Sequence, residues 1–87
     1  MADTHFRKVV NLVIQEKFRE KGLNINSLAN RTQVTREAIT HILKGDTKNP
    51  GIMTIFYIAE GLGMGFKEFI DEVHNHPKFK EEENDGP

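Results

Sequence analysis

The apolar pattern of this chain predicts an all-α fold built from five short helices. Three observations lead there. Apolar residues recur at three- and four-residue steps in five separate stretches, the mark of a helix with one buried face. No stretch alternates apolar and polar residues with the period of two that a half-buried strand needs. Residues that start or stop helices bound the stretches, among them Gly22, Asn24, Thr35 and Gly45.

Helix one is expected over residues 6–21, where Phe6, Val9, Val10, Val13, Ile14 and Phe18 form one broad stripe that Gly22 ends. Leu12 falls off that stripe, which makes it a candidate for exposure or for contact with a partner. Helix two is expected over 24–31, with Asn24 as its N-cap and Ile25, Leu28, Ala29 and Thr32 on one face. The stretch "TQV" then breaks the pattern, too briefly for a domain linker. Thr35 restarts the chain as the N-cap of helix three, residues 35–44, with Ala38, Ile39, Ile42 and Leu43 facing inward. The segment "GDTKNPG", residues 45–51, is turn chemistry throughout. Helix four, 52–62, turns Ile55, Ile58, Ala59 and Leu62 inward, while Met53, Phe56 and Tyr57 lie on another side. Gly63 and Gly65 bracket a short link to helix five, 66–73, whose stripe is Phe66, Phe69, Ile70 and Val73.

These elements form one small domain over residues 1–76 of the 87, and residues 77–87 read as an acidic, disordered tail. The net charge of −1 is unevenly spread. Two lysines and four acids give the segment 77–87 a net −2, whereas the span 22–52 carries Arg31, Arg36, Lys44 and Lys48 against Glu37 and Asp46, a net +2. A mildly basic middle permits nucleic acid without singling it out. The absence of cysteine leaves no disulfide framework and no thiolate zinc site. The longest apolar runs are a few residues, far short of the roughly 18 that a membrane span needs. The start "MADTHFRKVV" lacks the basic-then-apolar layout of a secretion signal. The expected location is the cytoplasm.

Two short helices joined by a few residues have the layout of a helix-turn-helix. The particular residues carry the likeness further. Leu28-Ala29 stands in helix two, Val34-Thr35 at the turn, and Ile39 with Ile42-Leu43 in helix three; Gly45, Pro50, Ile58-Ala59 and Leu62-Gly63 follow in order. In this order and spacing the stretch from Leu23 to Ile70 resembles the phage repressor and Cro type of helix-turn-helix domain, the XRE-like family. The resemblance implies a compact five-helix, lambda-repressor-like bundle with the helix-turn-helix at helices two and three. It also implies that helix three lies in the DNA major groove, from a homodimer on a palindromic operator of double-stranded DNA. Two positions depart from the family pattern. Gln33 stands where the family often has a left-handed glycine, at an expected cost of about 1 kcal/mol. Ile25 stands where a phosphate-contacting Gln is frequent, so Asn24, Asn26 or Ser27 would have to substitute.

A reading helix needs donors and acceptors on the side facing away from the core. Arg36, Glu37, Thr40 and His41 occupy that side and are the candidate base contacts. An Arg can fork onto guanine O6 and N7, and a Glu can accept from cytosine N4. A Thr offers a methyl to thymine, and His41 follows one turn on. The candidate phosphate contacts are Asn24, Asn26, Ser27, Thr35, Lys44, Lys48 and Asn49. Without the resemblance the same row reads as the solvated face of an ordinary helix. Leu12, Met53, Phe56, Tyr57, Phe66, Phe69 and Val73 are the candidate dimer surface.

Other chemistries find little support. His74 and His76 make an H-x-H, but two histidines fall short of the three or four convergent ligands of a metal site. The G-x-G formed by Gly61, Gly63 and Gly65 follows no strand, so the dinucleotide reading fails. No catalytic constellation, no cofactor motif and no small-molecule effector site is evident. The expected function is a sequence-specific DNA-binding transcriptional regulator, a repressor rather than an enzyme. The alternative is the same fold used as a protein–protein module, an antirepressor or the partner of a larger regulator.

Overall fold

The computed structural model describes the backbone of residues 2–45 and 50–80, with side chains from His5 onward. Among these residues all regular structure is helical: α1 (Ala2–Glu20), α2 (Ile25–Arg31), α3 (Arg36–Lys44), α4 (Ile52–Gly61) and α5 (Phe66–Asn75). A helical turn over 77–80 follows α5. The all-α fold and its five principal helices agree with the sequence pattern. α1 begins four residues earlier than periodicity indicates, because its apolar stripe starts only at Phe6 and the preceding turn has no apolar signal.

α1 is the spine. Val9, Val10, Val13 and Ile14 are buried on it, and α3 and α5 pack against it. α2 packs on α3 and α4, and α4 on α5. Leu28, Val34, Ile39, Ile42, Ile58, Ala59, Leu62, Met64, Phe69 and Val73 close the core. One polar side chain joins it: Asn11 is 7% exposed and its Oδ1 has no hydrogen-bond partner.

α1 ends in a Schellman motif. Gly22 takes φ +63°, its N–H bonds Arg19 O at 3.1 Å, and the N–H of Leu23 bonds Phe18 O at 3.2 Å. Such motifs bring the residue after the glycine onto the last turn of the helix, and Leu23 and Phe18 duly line the same concavity.

The turn between α2 and α3 corrects the expectation for Gln33. Among the described residues no side-chain-bearing residue has positive φ. Thr32 ends α2 in an extended conformation; its hydroxyl donates to Leu28 O at 3.0 Å and accepts the N–H of Val34 at 3.1 Å. One side chain does the work of a left-handed glycine, and the strain expected at Gln33 does not arise.

Parts of the expected dimer surface and tail also differ. Phe69 and Val73 are 0% exposed, so the core of this chain itself occupies the stripe of α5 and leaves them no surface for a partner. Residues 77–80, expected to be disordered, form a turn that folds back on α1. The ring of Phe79 stacks on His5 at 5.3 Å, lies edge-on to Phe6 and sits near His74. His5 Nε2 bonds Phe79 O at 3.1 Å. His76 Nδ1 accepts the N–H of Lys78, so Nε2 carries the proton donated to Glu16 at 3.1 Å. Lys48 and Asn49, and the acidic residues 81–85, lie outside the described residues.

Candidate nucleic-acid interface

α2 and α3 are both begun by side-chain caps. Asn24 Oδ1 accepts the N–H of Ser27 at 2.8 Å, and Ser27 Oγ accepts the N–H of Asn24 at 3.4 Å, a capping box. Thr35 Oγ1 accepts the N–H of Ala38 at 3.2 Å. At the other end of α3 the side chain of Gln15, on α1, donates to Leu43 O at 3.0 Å. Gly45 then leaves the helix with φ +79°. Both ends of α3 are therefore held from outside it.

With Ile39 and Ile42 buried, the opposite side of α3 is set. Arg36, Glu37, His41 and Lys44 are exposed and Thr40 is half-buried. All five line one open concavity of about 860 Å³ together with Asn24 and Asn26. Phe18, Leu23 and Ile25 supply its apolar part. The four candidate base contacts and three of the candidate phosphate contacts thus share one surface. Ser27 and Thr35 are not among the residues lining it.

Hydrogen-bond direction separates the candidates further. Phosphate oxygens only accept, so a contact needs a donor to give. The Ser27 hydroxyl already donates to Asn24 O at 3.0 Å. The Thr40 hydroxyl donates to Arg36 O at 2.8 Å, which leaves its methyl and an oxygen lone pair for a ligand. Thr35 uses its oxygen as an acceptor and keeps its proton. Arg36 Nη1 donates to Asn26 Oδ1 at 2.9 Å, a bond that ties the start of α3 to α2.

A family model described as helix-turn-helix matches residues 14–69, from the middle of α1 to α5. The chain belongs to the XRE-type helix-turn-helix family. It is a DNA-binding transcription regulator of that type, a family of regulatory rather than enzymatic domains. No curated protein and no solved structure shows a significant match to the chain.

The sequence pattern of this helix-turn-helix domain did not mark Phe18 and Leu23 as part of the α3 surface, nor Gln15 as the anchor of α3. The glycine after α1 was the available signal for the first two, because a Schellman motif folds the next residue back. Gln15 has no such signal, since its partner is 28 residues away.

The second surface lies on α4 and α5. Ile52 and Met53 are 68% and 54% exposed. Phe56 is half-buried, with its ring 5.7 Å from Tyr57 and 5.8 Å from Phe66. Leu12 is half-buried on α1. Among the described residues no three His, Asp or Glu side chains gather as metal ligands, and no helix is long and apolar enough to cross a membrane.

Proposed function

We propose that this XRE-type domain is a transcriptional repressor that binds a palindromic operator as a homodimer and lays α3 in the major groove. One observation carries the reading: Arg36, Glu37, Thr40, His41 and Lys44 line a single concavity with Asn24 and Asn26. Arg36 reads guanine, Glu37 accepts from cytosine, and Thr40 sets its methyl against thymine, with His41 as a further base contact. Asn24, Asn26, Thr35 and Lys44 hold the sugar–phosphate backbone, joined by Lys48 and Asn49, which follow α3 in the sequence. Repression needs only occupancy of a promoter. Ile52, Met53, Phe56, Tyr57 and Phe66 form the surface through which two copies meet, and a two-fold protein matches a two-fold site.

Operator affinity measured against salt tests the reading. Each phosphate neutralised by a cation contributes about −0.9 to the slope of log K against log salt, so Lys44 and Lys48 of two protomers give a slope of roughly −4. A flat response, or no retention on DNA at low salt, sinks it. Sedimentation of the free protein tests the dimer, and a monomer at high concentration removes it. The apolar part of the concavity, Phe18, Leu23 and Ile25, favours a second reading in which a partner protein occupies the same surface. The flat salt response is what that reading expects.

A further inference from the structure

The last turn of α3 is fastened to α1, not to the helix that precedes it. We propose that Gln15 is a positioning residue for operator recognition: by holding that last turn on α1 it sets the angle at which α3 lies in the groove, and with it the base contact of His41. The inference rests on the reading of α3 as the groove-bound helix.

The Gln15 side chain donates to Leu43 O at 3.0 Å, between residues 28 apart. A carbonyl can only accept, so the Nε2 group of the amide must face it. Leu43 O is one of the last four carbonyls of α3, which lack a partner inside a regular helix. The N–H of Gly45 reaches two of the other three, on His41 and Ile42. Leu43 O lies beyond that cap and is met from α1. Gln15 is half-buried and follows Val13 and Ile14, which are buried in the core. Its amide therefore refers the end of α3 to the spine on which α3 and α5 pack.

The start of α3 is held separately, through Thr35 and the bond from Arg36 to α2. A helix held at both ends has one angle. Released at its last turn, it pivots about its start, and the displacement grows along its length. Arg36 stands at the pivot, and His41 lies about 7.5 Å further along the axis. Base contacts are short and directional, and they weaken steeply with misalignment. Lys44 moves furthest, but an ammonium on a flexible stem tolerates displacement from a phosphate. The contact most exposed to loss of the Gln15 bond is therefore that of His41.

The test uses the full chain and a DNA duplex selected from a random pool, together with duplexes in which each base pair is exchanged singly. Dissociation constants give the preference at each position. His41→Ala and Arg36→Ala mark the positions that those side chains read. Gln15→Met is unbranched, of similar length and has no donor. Met and Gln have similar helix propensity, so the variant should keep the wild-type helicity by circular dichroism. It is expected to lower the preference at the His41 position by roughly fivefold, the scale of one hydrogen bond, and to leave the Arg36 position within about twofold. Adding Gln15→Met to His41→Ala should change nothing further at the His41 position. Gln15→Lys restores a donor, and the concavity of about 500 Å³ that Gln15 lines with Phe18, Arg19 and Leu43 has room for it. That variant should recover the preference; its added charge raises affinity for every sequence alike, so preference is the quantity read.

An unchanged preference at the His41 position in Gln15→Met overturns the inference. An equal loss at every position overturns it too, because that is what a merely structural bond would give, and so does a fall in helicity. Failure of Gln15→Lys to recover the preference, or a His41→Ala variant with every preference intact, also overturns it. These outcomes leave the DNA reading standing if the wild type still prefers its selected duplex. A wild type with no preference for any sequence overturns both.

Discussion

α2–α3 and α4–α5 are both pairs of short helices on a short link, and they are built in opposite ways. In the first pair, side chains begin each helix: Asn24 with Ser27 for α2, and Thr35 for α3. In the second, Gly51 and Gly65 stand at the N-cap positions and neither helix has a side-chain cap. α2 buries Leu28 alone among its seven residues. α4 and α5 bury Ile58, Ala59, Phe69 and Val73 instead. α3 also buries Ile39 and Ile42, so the first pair adds side-chain hydrogen bonds at its helix starts to burial, whereas the second relies on burial without them.

The largest effect should come from the apolar pair. Phe69→Ala removes a fully buried ring and is expected to cost about 3–5 kcal/mol of stability. Chemical denaturation measures it, and a loss under 1 kcal/mol would mean that α5 is held by something other than its core. Next comes the seam between the pairs. A Cβ on Gly61 would lie 2.5 Å from Thr32 Cγ2 and 2.6 Å from Leu28 Cδ1. Gly61→Ala should therefore destabilise by about 1–3 kcal/mol. If its thermal midpoint is unchanged, α4 is less closely seated on α2 than the geometry indicates.

The caps sharpen the comparison. Asn24→Ala and Thr35→Ala should each cost about 1 kcal/mol. Gly65→Ser goes the other way: no atom lies within 4 Å of the added Cβ, and the backbone is already extended. It should stabilise by a few tenths of a kcal/mol. Unchanged stability in both alanine variants would dissolve the distinction drawn between the pairs.

The smallest effect is electrostatic. The Glu72 carboxylate hydrogen-bonds Lys17 at 3.2 Å and holds its ammonium above the ordinary lysine range, with Glu20 adding at 3.5 Å. A raised folded value means that the pair supports folding from neutral pH up to the ordinary lysine value. The support is lost only as pH climbs through the raised value. Glu72→Gln should therefore reduce stability slightly at neutral pH and not at all in strong alkali. Parallel pH–stability curves for the two proteins would count against the pair.

Much of this molecule is legible in local pattern, because its signals are local. Asn24, Thr35, Gly22 and Gly45 act on atoms a few residues away, and the helix ends they set lie within two residues of where the spacing puts them. The stripe of α5 shows why burial is harder to read. Phe69 and Val73 have the same spacing whether a partner or the chain itself covers them, and only the packing of α1 against α5 decides. The bond from Asn26 to Arg36 has no periodic signature, since it depends on how two helices cross. Thr32 illustrates a third case. The expectation of strain at Gln33 came from the family pattern, and a hydroxyl one residue earlier removes the need for it.

The docking of Phe79 on His5 joins residues 74 apart, against 28 for the Gln15–Leu43 bond. Closing the longer loop costs roughly 0.9 kcal/mol more chain entropy. Amide exchange at residues 77–80 should accordingly outpace exchange in α3 and α4. The contact between the two ends of the described chain is thus separable from the fold of α3, the helix proposed to meet DNA.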